Sequence, residues 1–255
     1  MKRLRFFLST IDQASPKTAR ENGLGLELAQ FCTASNMDDA FPQVDKALNT
    51  EAGDIRERIL HGPFNELFPC AIDPRARELA RQRYRQAIGL AKRYHAEKVV
   101  IHGGFHPLIY YPVWYTEQSV IFWRDFLKED PGVEIVLENV LEPEPGMILD
   151  IIKGVDDPRL RLCLDVGHVN AYSNIPVMDW LESCAPYISH LHLHNNDGSW
   201  DTHSPLPEGS IPMKALLERI RERCPDATIT LELPEAASSI RWLQENGFLQ
   251  GGRKL

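Results

Sequence analysis

Short apolar runs alternate with longer amphipathic stretches along the whole chain. Runs at residues 4–9, 25–29, 58–61, 98–102, 133–138, 161–165, 188–194 and 228–232 are rich in aliphatic side chains and too short for helices, so they predict eight strands. Helical spacing fills the intervals at 37–50, 74–94, 114–128, 147–153, 177–185, 213–223 and 236–246. The clearest of these opens on Asp73-Pro74, a capping side chain followed by the residue best suited to the first helical turn. Eight strand-then-helix units without a shared repeat predict an α/β architecture, a (β/α)₈ TIM barrel that takes residues 1–255 as a single domain. A doubly wound sheet is the structural alternative. No linker, low-complexity run or charge block divides the chain. Its longest stretch without clear structure, 194–210, is polar and rich in candidate ligands, and in a barrel a loop at the strand ends is where chemistry is carried.

The polar residues at the strand ends are of one chemical kind. His61, His102, Glu138, Asp165, His168, His194, Asp201, His203 and Glu232 all lie at or just beyond the ends of the predicted strands. Imidazole nitrogens and carboxylate oxygens are the ligands of zinc, manganese and related ions, and strand ends are where a barrel assembles them from distant sequence. Taken singly, each has a bland explanation, since a strand-end histidine is more often a hydrogen-bonded structural residue. Their neighbours raise the odds. Leu60-His61-Gly62-Pro63-Phe64 and Val100-Ile101-His102-Gly103-Gly104 each end a strand in an imidazole and then turn. Val136-Leu137-Glu138-Asn139 and Leu162-Cys163-Leu164-Asp165 place carboxylates at the ends of apolar strands, where an unpaired acid is costly and should meet a cation or a donor. In Ile188-Ser189-His190-Leu191-His192-Leu193-His194, strand period two puts the three histidines on one face. His194, nearest the loop, is the expected ligand, with His192 and His190 as deeper core residues. Asp201-Thr202-His203 suits two ligands on an irregular loop, and Leu231-Glu232-Leu233-Pro234 closes the set.

Composition narrows the partners. The hydrophobic fraction of 43% and charged fraction of 25% are ordinary for a globular protein, and no stretch approaches the roughly 20 apolar residues of a membrane span. The basic start and the apolar patch after it are too short for a signal sequence and read as the first strand. Five scattered cysteines without a C-x-x-C pair argue against a disulfide framework and for a reducing cytoplasm. A formal net charge of −8 weighs against nucleic acid as a partner, because the field of the whole molecule would repel a polyanion. A small-molecule substrate is expected, with no membrane association and the oligomeric state open. Tyr110, Tyr111, Trp114, Trp123 and Trp200 could stack on a sugar or base, although packing is the expected role for most of them.

The motifs H-x-P-[FY] at 61–64, [IV]-H-x-G at 101–104, L-E-N at 137–139, C-L-D-x-x-H at 163–168, H-x-x-D at 194–197, D-x-H at 201–203 and L-E at 231–232 occur in a specific order. In that order the chain resembles the xylose isomerase-like TIM barrels, the superfamily that includes endonuclease IV and many sugar and sugar-phosphate isomerases and epimerases. The resemblance implies that His61, His102 and Glu138 hold one zinc, with Glu138 bridging to a second held by Asp165, His194 and Glu232. It also implies a third ion on His168, Asp201 and His203. There are departures from the endonuclease. Pro207 stands where its loop has a glycine, Phe64 where it has a tyrosine that probes DNA, and 30–36 carries no arginine-bearing recognition segment. Gly25-Leu26-Glu27-Leu28 looks more like the sugar-converting branch.

Three functions follow. The completeness of the ligand set favours phosphoester hydrolysis by a multinuclear site of up to three zinc ions, acting on a small phosphoester or sugar phosphate; abasic-site cleavage of DNA is a lesser form of it. The alternative is isomerisation or epimerisation of a sugar or sugar phosphate. There the resemblance implies one ion, usually manganese, held by Glu138, Asp165, His194 and Glu232, with Glu138 and Glu232 as catalytic groups exchanging a proton on opposite faces of an enediolate. A non-catalytic barrel with degenerate ligands is the third.

Overall fold

The computed structural model describes residues 3–250. Eight parallel strands, Arg5–Ser9 (β1), Gly25–Leu28 (β2), Arg58–His61 (β3), Lys98–His102 (β4), Glu134–Glu138 (β5), Leu160–Asp165 (β6), Ile188–Leu193 (β7) and Thr228–Leu231 (β8), close in chain order, β8 pairing with β1. The expected barrel is therefore the fold. The helices are Ser15–Asn22 (α1), Phe41–Ala52 (α2), Pro74–Tyr94 (α3), Pro112–Phe126 (α4), Pro145–Val155 (α5), Val166–Tyr172 (α6), Val177–Cys184 (α7), Met213–Arg223 (α8) and Ala237–Glu245 (α9). Of these, α1 and α6 lie where the sequence predicted no helix. The helix α3 starts as its sequence dictates, with the Asp73 carboxylate accepting from the Arg75 N–H at 2.8 Å.

The interior of the barrel is layered by strand period two. Phe7, Ile59, Val100, Val136 and Cys163 form a buried apolar layer of their own, apart from the larger core beneath the helices. Gly25 belongs to that level because a Cβ there would lie 2.4 Å from the Phe7 ring. Two residues further along the same strands, the side chains turn polar: Glu27, His61, His102, Glu138 and Asp165. On β7 and β8, polar residues occupy every inward position, His190 and His192 beside Thr228 and Thr230. An apolar plug thus supports a polar floor at the C-terminal mouth, the end where barrels place their sites.

The loop between β7 and α8 is ordered by Asn195. Its backbone bridges to Ser204, its Nδ2 donates to Leu206 O at 2.9 Å, and its Oδ1 accepts from Ile211 N at 3.1 Å. Gly209 packs so closely that a Cβ would lie 2.3 Å from Asn195 Oδ1. Pro207 fits within a turn closed by Glu208 N donating to Pro205 O, so the proline that set this loop apart is accommodated. Among the described residues no helix is long and apolar enough to cross a membrane, and the five cysteines are free.

Candidate metal centre

The nine residues singled out in the sequence converge at the mouth in overlapping groups. The ligand atoms of His61, His102 and Glu138 lie within 4.8 Å of one another, as do those of His168, Asp201 and His203, and those of His194, His203 and Glu232. Three histidines share one orientation. His61 Nδ1 donates to Gly62 O at 2.9 Å, His168 Nδ1 to Asn139 O at 2.8 Å, and His203 Nδ1 to Glu232 O at 2.8 Å. A carbonyl only accepts, so each Nδ1 carries a proton and each neutral ring turns an Nε2 lone pair inward. Those lone pairs meet carboxylate oxygens: His61 Nε2 lies 3.3 Å from Glu138 Oε2, and Asp201 Oδ2 is 3.3 Å from His168 Nε2 and 3.1 Å from His203 Nε2. Acceptor facing acceptor is tolerable only with a cation or a proton between. Histidines fixed through the other ring nitrogen by backbone carbonyls are the usual arrangement around a bound metal.

Burial sharpens the case. Both oxygens of Glu138 are buried without a hydrogen-bond partner, as are His192 Nδ1, His194 Nδ1 and Asp201 Oδ1. Burial would raise the Glu138 and Asp165 carboxyl pKa values, but the surrounding histidines outweigh it and hold both well below the usual range. Burial also opposes a charge on His203, yet its bond to Asp201 and the charges of Glu232 and Asp201 bring its pKa to about 9. His102, 3.4 Å from Glu138 Oε2, is pushed down to about 4 by burial. In the metal-free protein, protons on histidine thus offset the carboxylates; a divalent ion would take their place.

On β7 the structure brings His192 to the carboxylates beside the expected His194: His192 Nδ1 lies 3.2 Å from Glu232 Oε2, 3.3 Å from Glu138 Oε1 and 3.6 Å from Asp165 Oδ2. His194 stands to one side, its Nε2 3.1 Å from Asp165 Oδ2 and its Nδ1 3.4 Å from Asp201 Oδ1, with its ring stacked on His203. It bridges a middle group, the carboxylates Glu138, Asp165 and Glu232, and an outer group, His168, Asp201 and His203. Gly167 makes room for it, since a Cβ there would fall 1.9 Å from the His194 ring.

Sequence reasoning also passed over what aims His192. Its Nε2 is bonded to Glu27 Oε2 at 3.3 Å, and the same oxygen of Glu27, wholly buried on β2, receives the Thr230 hydroxyl at 2.6 Å and His190 Nε2 at 3.0 Å. Thr228 Oγ1 accepts a hydrogen bond from Lys98 Nζ at 2.9 Å and sits 2.7 Å from His190 Nδ1. Donors therefore converge on Glu27, and His192 is left with Nε2–H toward Glu27 and its Nδ1 lone pair toward the three carboxylates. The pairing of His192 with Asp165 across β6 and β7 is the feature that marks it, and register is not visible in a single strand.

Known proteins share this barrel. The family model described as xylose isomerase-like TIM barrel matches residues 24–246. An uncharacterized protein of Methanocaldococcus jannaschii is 32% identical over 191 residues, 69% of this chain and 64% of that relative. Fructoselysine 3-epimerase of Escherichia coli O157:H7 is 28% identical over 111 residues, 41% of this chain and 40% of the enzyme. The chain thus spans less than two thirds of these curated relatives. The crystal structure of a D-tagatose 3-epimerase-like protein superimposes with a TM-score of 0.77 at 25% identity, covering 95% of this chain and 97% of that one.

Proposed function

The chain belongs to the xylose isomerase-like TIM barrel family, and we propose that it is a divalent-metal-dependent isomerase or epimerase of a small sugar. The observation that carries this reading is the convergence of Glu138, Asp165 and Glu232 within 3.6 Å of one imidazole nitrogen, His192 Nδ1. The similarity to a fructoselysine 3-epimerase and to a D-tagatose 3-epimerase-like structure supports this alternative over the phosphoester hydrolase that the sequence favoured.

Glu138, Asp165, Glu232 and His192 would hold the ion, with His194 beside Asp165. When bound, a divalent ion supplies the positive charge that polarises a substrate carbonyl and its neighbouring hydroxyl. Glu138 and Glu232 then do the proton work: one takes the proton from the carbon next to the carbonyl, and the other returns a proton from the opposite face. Glu138 suits the task because neither of its oxygens is engaged by a hydrogen bond and its burial keeps water from competing. Asp165 is fixed by two bonds to Asn139 and by capping α6, where Oδ1 accepts from His168 N at 2.7 Å. It is a holding residue.

Hydrolysis stays as a second reading because His168, Asp201 and His203 form an outer group suited to a further ion. Metal-loaded protein incubated with small ketoses in D₂O separates the two. Solvent deuterium enters the substrate and a second sugar forms; Glu138→Gln abolishes both, whereas His203→Ala leaves the rate within about tenfold, since one ion suffices. Phosphate release from small phosphoesters without any exchange, lost in His203→Ala, would replace this reading with the hydrolase.

A further inference from the structure

Resting on the isomerase or epimerase reading, we infer that the substrate carries no negative charge: it is a neutral free sugar or one bearing an ammonium group, not a phosphate ester or a sugar acid. The inference comes from where the chain puts its cations. The segments that follow the strands at the mouth are 10–14, 29–40, 62–73, 103–111, 139–144, 166–176, 194–212 and 232–236, and all of them fall among the described residues. None holds a lysine or an arginine. They do hold the exposed acids Asp39, Glu66, Glu144, Asp197, Glu208 and Glu235.

The cations on the strands sit at the far end of the barrel. Arg5, Arg58 and Lys98 are the first residues of β1, β3 and β4, and Arg161 is the second of β6. Most of the rest are on the helices, many paired there, as Arg93 is with Asp45 and Arg219 with Glu222, while two α3 arginines that reach mouth segments are already engaged, Arg83 by Asp38 at 2.8 Å and Arg77 by Ala71 O at 3.0 Å. The cations closest in sequence to the mouth, Lys17, Arg75 and Lys214, are exposed on the first turns of α1, α3 and α8.

A phosphate or carboxylate on the substrate would therefore find no lysine or arginine in these loops, and the protons on His168 and His203 are already shared with Asp201. The exposed acids of the rim would also meet a substrate anion with like charge. The rim offers aromatic faces instead. Trp200, 65% exposed, packs edge-on to Tyr172 beside Asp201, and Phe64 stacks on His102 with centroids 4.2 Å apart. Such faces suit the C–H face of a sugar and attract an ammonium group.

The test uses metal-loaded protein and a matched series: D-fructose, D-fructose 6-phosphate and 1-amino-1-deoxy-D-fructose. Calorimetric binding and deuterium exchange are measured for each. The free sugar and the amine are expected to bind at least about tenfold more tightly than the phosphate. Phosphate binding should strengthen as salt rises from about 0.05 M to about 0.5 M, because screening relieves repulsion. Preferential binding or turnover of the phosphate overturns the inference while leaving the proposed function intact. If no sugar exchanges deuterium but the phosphate still binds worst, the proposed function fails and the charge inference stands. Failure of all three to bind at millimolar concentration overturns both.

Discussion

Glu27 is a wholly buried carboxylate that touches no expected ligand, yet it decides what His192 can do. Replacing it by glutamine keeps the shape but puts an amide N–H₂ on one side of the group. The His190, His192 and Thr230 donors all share Oε2, so the glutamine oxygen stays there and its N–H₂ takes the Oε1 side, 3.1 Å from His192 Nε2, where donor faces donor. The least costly relief is for His192 to move its proton to Nδ1, which then points an N–H at the carboxylates meant for the ion. Glu27→Gln should therefore weaken metal binding by roughly 10- to 100-fold, the usual effect of losing a partner that orients a ligand. Competition against a chromophoric chelator reads this, with circular dichroism checking that the barrel is intact. Unchanged affinity would remove His192 from the centre. At this scale the sequence was a partial guide. The chemical types at nine positions were legible because acids and imidazoles stand out at the ends of aliphatic strands. The approach of His192 to the same carboxylates was not, because it turns on β7 ending at Leu193 and on the pairing of His192 with Asp165.

Elements differed in legibility for a physical reason. The strands are aliphatic and bounded by turn residues, and α3 and α8 each run long enough to repeat a 3.6-residue pattern, so their limits could be read. With 8 residues α7 still shows the pattern, through Val177, Trp180, Leu181 and Cys184, whereas α1 buries only Ser15 and Ala19 and the 7-residue α6 offers Val166 and Val169 as its buried aliphatic residues. The short α6 matters most, because it sets His168 over the mouth and its second residue, Gly167, lies flat against His194. A methyl group there cannot be absorbed by an exposed side-chain end, since His194 is itself buried and held by Asp165. Gly167→Ala should cost about 1–3 kcal/mol in urea unfolding, as overpacking does, and displace His194 from between the middle and outer groups. Unfolding and metal content both equal to those of the parent would mean that His194 has room to move that the structure does not show.

Over the whole molecule, the site and the barrel are one mechanical object. Glu138, Asp165 and His192 come from β5, β6 and β7, and Glu232 follows β8, so an ion held by them ties together four of eight strands. The separation of charge between mouth and far face is likewise a property of the closed fold, legible in the sequence only after each loop has been assigned to an end. Without the ion, Glu138, Asp165 and Glu232 crowd a water-poor site and rely on protons borrowed by histidine; with it, the native state gains binding free energy that the unfolded chain lacks. At an ion concentration of a hundred times Kd the gain is about 2.7 kcal/mol. For a chain of this size each kcal/mol raises Tm by roughly 2–4 °C. Chelation should thus lower the melting temperature by roughly 5–10 °C, and zinc or manganese should restore it. In Glu138→Gln the same chelator should have little effect, because one of the four residues that would hold the ion is gone. Equal melting temperatures of the parent with and without chelator, in protein shown by elemental analysis to start metal-loaded, would separate the ion from the stability of the barrel.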